Sequence, residues 1–216
     1  MLNIFKKKQF EFVEDATGLR QVGGDFPEGF VVPANDFPGS FQYIGFIDNA
    51  DSHFSWLPFK LHIIFPTLLY LDRVFLDYKN PMKPELFHLY READIESPFD
   101  EVTVDSFVVY ESQKLALKPF SGVNDDNEFD VLGVTGEPHY TQDKFIPKCP
   151  RTGKSMKFVC QFFSNQTVKA KEKNFSSTKD YYESLFNQLS FFSGDGDLMV
   201  YIQPSSKIAC FIVSGS

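Results

Sequence analysis

The chain has 216 residues, 43% of them hydrophobic and 23% charged, a globular composition that excludes intrinsic disorder. Lysine and arginine number 21 against 29 aspartates and glutamates, and the resulting net charge of −8 excludes a general nucleic-acid binder, which needs a basic face for phosphates. Phenylalanine is unusually common: 26 residues, beside 9 tyrosines and 1 tryptophan, imply a core built on aromatic packing.

Met1 to Phe5 form a short apolar stub followed by Lys6, Lys7 and Lys8, the reverse order of a secretory signal. Short apolar runs broken by Gly, Pro, Asn and Asp then predict strands at Phe10–Val13, Phe41–Ile47, Lys60–Phe65, Leu68–Tyr78, Phe107–Tyr110, Lys114–Leu117, Met156–Phe163, Leu198–Gln203 and Ile208–Val213. Leu198 to Ile202 is apolar throughout, as befits a strand buried on both faces. The longest apolar stretch, Leu61 to Leu71, is interrupted by His62, Pro66 and Thr67 and is too short to span a bilayer. One helix is expected from about Thr178 to Leu189, with Ser176, Ser177 or Thr178 as N-cap and an apolar stripe of Tyr182, Leu185, Phe186 and Leu189. Proline-rich residues 78–84 and the acidic residues 121–128 read as loops. Cys149, Cys160 and Cys210 are too few and too scattered for a disulfide framework, so a cytoplasmic protein with reduced thiols and no membrane span is expected.

Several chemistries fail on spacing. Arg151-Thr-Gly-Lys-Ser155 resembles the tail of a phosphate-binding loop, but it lacks the leading glycine and feeds a strand rather than a helix. Cys149-Pro-Arg-Thr152 is half a zinc knuckle whose second thiolate is missing, so no metal and no cofactor are expected. No Gly-x-Ser-x-Gly elbow occurs, no cysteine has a histidine near it in sequence, and the acidic run at 124–130 breaks the calcium-loop pattern at Phe129. Residues 39–44 (Gly-Ser-Phe-Gln-Tyr-Ile) are echoed by 154–159 (Lys-Ser-Met-Lys-Phe-Val), and each segment leads on to a strand ending at proline, which hints at an internal repeat.

The order of motifs goes beyond generic patterning. Gly133-Val-Thr-Gly-Glu-Pro-His-Tyr-Thr-Gln142 leads to Pro147-Lys-Cys-Pro150, Gly153 and Met156-Lys-Phe-Val-Cys-Gln161, then to Gly194-Asp-Gly-Asp197 entering a strand. Gly23-Gly24, Pro27, Pro33 and Gly39 to Ile47 form a matching entry in the first half. This order resembles the YwqG-like family of bacterial proteins with a domain of unknown function, over roughly residues 20–213. The resemblance implies an α+β fold, mainly antiparallel β-sheet, with two pseudo-repeated lobes and few helices: one domain over 1–216, with lobes at about 20–120 and 130–213. It implies no reaction. Thr152 stands where some relatives carry a second cysteine, and Phe46 stands where the second lobe has Gln161.

Two functions follow as expectations. The first is a non-catalytic protein-interaction module of an immunity, adaptor or chaperone kind. It would dock a basic partner through an acidic surface of Asp94, Glu96, Asp100, Glu101, Asp125, Asp126 and Glu128. The second is a small-ligand or enzymatic pocket between the lobes, lined by Trp56, His139, Tyr140, Gln142, Gln161 and Asp195. For Gln142 and Gln161 the competing expectation is that they satisfy backbone groups in turns and sheet edges.

Overall fold

Short apolar runs broken by turn residues dominate the sequence, and the chain folds as a mainly antiparallel β protein with one short helix. The computed structural model describes residues 8–35, 39–69, 71, 73–87, 99–120, 131–140, 144–191, 194 and 196–214. In chain order the elements are β1 (Phe10–Glu14), β2 (Arg20–Val22), β3 (Gln42–Ile47), β4 (Leu61–Phe65), β5 (Arg73–Asp77), β6 (Glu85–Leu86), β7 (Val108–Tyr110), β8 (Gln113–Pro119), β9 (Gly133–Thr135), β10 (Lys157–Phe163) and β11 (Asn165–Lys173). They are followed by α1 (Asp180–Phe186), β12 (Gln188–Leu189), β13 (Asp197–Gln203) and β14 (Ile208–Ser214). One sheet of 11 strands runs β4-β3-β2-β8-β1-β9-β10-β13-β14-β5-β6, and a second of 3 strands runs β12-β11-β7.

The pairings interleave the two halves of the chain. β1 pairs with β8 and with β9, while β8 also pairs with β2, and Val13 lies opposite Ala116 within the β1–β8 ladder. β3 pairs with β4 through a register shift between Tyr43 and Gly45, and β10 pairs with β13 through one between Phe158 and Cys160. From the first half, β5 adds to β14 at the far side of the sheet.

The strand buried on both faces is present: the first six residues of β13 are buried, and so are all five of β4. The main core gathers Phe12, Phe41, Phe54, Phe65, Phe162, Phe191 and Phe211 around the aliphatic residues of β3, β4, β13 and β14. Phe12 stacks on Phe162 with ring centroids 5.4 Å apart. A second cluster (Phe75, Cys149, Met156, Met199, Tyr201, Ile208 and Cys210) lies on the opposite face of β13 and β14.

Three expectations on elements change. The run Leu68–Tyr78 is a strand only from Arg73, because residues 66–69 turn: Leu69 N donates to Pro66 O, and Thr67 N donates to the buried Gln42 side chain at 3.1 Å. The helix is shorter than expected and Lys179 occupies the N-cap without a side-chain bond. Ser177 contributes otherwise: its amide donates to Glu183 Oε2 at 2.9 Å, so the Glu183 carboxylate reaches back over the first turn. The apolar stripe divides, with Leu185 and Phe186 buried on α1, Leu189 buried on β12 and Tyr182 half-buried against Phe99. The third change is an addition: β11 is long and mostly polar, and no hydrophobic pattern announces it.

Candidate functional site: a cleft on the outer face of β10 and β13

The site begins where β9 stops. Gly136 has φ +91, and a Cβ there would lie 2.2 Å from the backbone oxygen of Lys8, so only glycine allows the chain to leave the sheet at this point. Residues 137–140 then cross the face of β10, where Gln161 holds them. Its Oε1 accepts from His139 N at 2.7 Å and its Nε2 donates to His139 O at 2.8 Å, so one fully buried amide satisfies both backbone groups of a residue outside the sheet. The same Nε2 donates to Asp197 Oδ2 at 2.6 Å. Asp197 is 4% exposed and its Oδ1 has no hydrogen-bond partner among the described residues. Burial pushes its carboxyl up to about 7, against the opposing pull of the Gln161 bond.

The other wall is the hairpin-like segment 144–156. Cys149 N donates to Lys154 O at 2.8 Å and Gly153 N to Cys149 O at 2.7 Å, closing a tight turn. Arg151 anchors this turn by an ion pair with Asp77 on β5 and a bond to Ser206 O at 3.1 Å, between β13 and β14. Cys149 Sγ lies 3.2 Å from Ser206 Oγ, so this thiol packs and bonds locally.

Between the walls is a cleft of about 500 Å³. Its floor is aromatic: Tyr140 and Tyr201 place their hydroxyls 3.2 Å apart, and Phe158 meets Tyr201 edge-on at 5.5 Å. Glu137, Pro138, Lys144, Met156 and Lys157 also line the cleft. Lys157 Nζ sits 3.5 Å from the Trp56 ring centroid, a cation–π contact that ties the β3–β4 loop to β10. That loop is itself fixed by the buried Arg20, which pairs with Asp51 and donates to Leu115 O at 3.0 Å.

Of the six expected pocket residues, Tyr140 lines the cleft, His139 and Gln161 build its wall, and Trp56 touches it through Lys157. Gln142 and Asp195 lie outside the described residues, as do Asp94, Glu96, Asp125, Asp126 and Glu128 of the acidic surface. Asp100 is exposed, and Glu101 accepts the Ser177 hydroxyl at 2.6 Å, far in sequence from the cleft. Among the described residues no group of three or more His, Cys, Asp or Glu is placed to hold a metal ion, and no helix is long and apolar enough to cross a membrane. Sequence reasoning passes over Lys144 and Lys157. A charge sum over a short window, rather than over the whole chain, is the signal that marks them.

Comparison of the chain with protein-family models, with curated proteins and with solved structures returns no match.

Proposed function

We propose that the chain is a non-catalytic binding protein of the YwqG-like kind, and that it recognises a small ligand in the cleft beneath residues 136–158. One observation carries this reading. The two walls are pinned independently, by Gln161 on one side and Arg151 on the other, so the cleft exists before any ligand arrives. A volume of about 500 Å³ falls within the roughly 300–1,000 Å³ of ligand sites, and an aromatic floor with a few polar groups at the rim is their usual chemistry. The test is a metabolite screen by thermal shift. Ser155 is exposed and lines the cleft, so Ser155→Trp fills it without entering the core. A compound that raises the midpoint of the parent but not of Ser155→Trp supports the reading; one that raises both equally, or a screen with no stabilising compound, removes it.

The duplicated architecture belongs to the same proposal. Strand order β4-β3-β2-β8-β1-β9-β10-β13 reads the same from either end once β1 is matched with β8, β2 with β9, β3 with β10 and β4 with β13. Register supports the match: the shift at Tyr43/Gly45 corresponds to that at Phe158/Cys160, and Gln113 faces Val22 as Phe10 faces Thr135. In this arrangement each half lends its first strand to the other, about an axis through the Val13–Ala116 pair.

Docking of a basic protein is the second reading. It rests on the net charge of −8, and its test is a pull-down at two salt concentrations, since steering by an acidic surface weakens as salt rises.

A further inference from the structure

The first half of the chain shows what covers a surface of this kind. Gly23 leaves β2 with φ +68, as Gly136 leaves β9 with φ +91. A Cβ at either would meet a backbone oxygen just ahead of the strand alongside: Glu111 O at 2.0 Å before β8, and Lys8 O at 2.2 Å before β1. With β3 matched to β10 and β4 to β13, the register shift in each pair sets Tyr43 in the place of Phe158 and Ile64 in the place of Tyr201. Beyond Gly23 the chain lays Phe26 and Phe30 over that ground. Their rings stack at 5.4 Å, they meet Tyr43 at 5.4 and 6.5 Å, and Phe30 meets His62 at 5.7 Å. Beneath them Tyr43 is 4% exposed. Phe158 is only half-buried, and it lines the open cleft of about 500 Å³.

We infer that the cleft takes an uncharged aromatic molecule of one or two rings, which lies on Tyr140, Phe158 and Tyr201 as Phe26 and Phe30 lie on Tyr43. This rests on the cleft being a ligand site and on the strand matching above, and adds the class of the ligand. Charge gives no competing preference: Glu137 lines the cleft together with Lys144, and Lys157 is held over the Trp56 ring. The apolar lining is open to solvent, since Ile146 is 45% exposed beside the floor and its neighbour Phe145 is 43% exposed. An aromatic ring set edge-on or offset gains on such a floor what a saturated ring does not, because only a π-system carries the matching quadrupole.

The experiment is titration calorimetry of the full chain with 2-naphthol and with its saturated counterpart, decahydro-2-naphthol, both uncharged at neutral pH. The expected result is that 2-naphthol binds roughly three- to tenfold more tightly, the scale of one aromatic contact beyond area burial. Phe158→Leu should bring the two affinities together while leaving that of the saturated compound unchanged, and Ser155→Trp should abolish binding of both. Equal binding of the two compounds to the parent overturns the inference and leaves the cleft as a ligand site. Binding of 2-naphthol that survives in Ser155→Trp overturns it as well, by placing the ring elsewhere. If neither compound binds, the inference also falls, and the metabolite screen decides separately whether the cleft binds anything.

Discussion

Replacing Asp197 with asparagine isolates a buried carboxyl that the fold carries at a cost. Its carboxyl moves from an ordinary 3.8 to about 7 because it is buried, against the pull of the bond that Gln161 Nε2 donates to it. Between those values the folded chain keeps a proton that the unfolded chain has released, so this group's contribution to stability falls as pH rises from about 4 to 7 and stays low above that. Raising a pKa by one costs the charged form about 1.4 kcal/mol, so the full penalty approaches about 4 kcal/mol. Relaxation and water penetration reduce this to roughly 2–4 kcal/mol. Asparagine keeps an oxygen for Gln161 and never ionises. The Asp197→Asn chain should therefore match its parent near pH 4 and exceed it by roughly 2–4 kcal/mol at about pH 8, read from urea unfolding across that pH range. A difference that does not vary with pH, or that favours the parent at the alkaline end, refutes the reasoning.

His62 works in the opposite direction. Burial holds its imidazole down to about 4, and Tyr43 Oη lies 2.7 Å from its Nδ1. Stability from this group should be lost as pH falls from about 6.5 to 4, by up to roughly 3 kcal/mol, and His62→Gln should flatten that limb of the unfolding curve. Gln161→Met leaves both backbone groups of His139 and one oxygen of Asp197 without their partner, so a loss of roughly 3 kcal/mol or more in chemical unfolding is expected, together with loss of ligand binding at the cleft. Retained binding in that variant would show that the clamp does not shape the site. Cutting the chain within residues 121–130 should give two fragments that recover the parent's circular dichroism only as a 1:1 complex when mixed, because β1–β9, β5–β14 and β7–β11 pair strands across the cut. Fragments that fail to associate would contradict the pairing across the cut.

Much of the sheet was legible because its buried strands need apolar side chains, often on both faces, and the apolar runs of β1, β3, β4, β8, β10, β13 and β14 mark their strands. β11 was not legible for the same reason. Asn-Gln-Thr-Val-Lys-Ala-Lys-Glu-Lys buries only Val168, and it is a strand through its pairing with β7 and β12 rather than by hydrophobic pattern. β2 and β9, at three residues each, are too short for any periodicity to emerge. The candidate site divides along similar lines. Tyr140, His139 and Gln161 stand out as polar and aromatic residues in an ordered motif, but their relation is tertiary: the Gln161 amide meets His139 across 22 residues of chain. Lys144 and Lys157 are hidden by the acidic total, which averages away the basic segment 144–157.

The cleft contains one of the 4 methionines, and its methyl group reports occupancy directly. With methyl-labelled methionine and the compound that gives the largest thermal shift, the Met156 resonance should move and saturate, while that of Met82, on the turn before β6, stays in place. A stabilising compound that leaves Met156 unmoved would place recognition elsewhere and contradict the assignment of the cleft as the binding site.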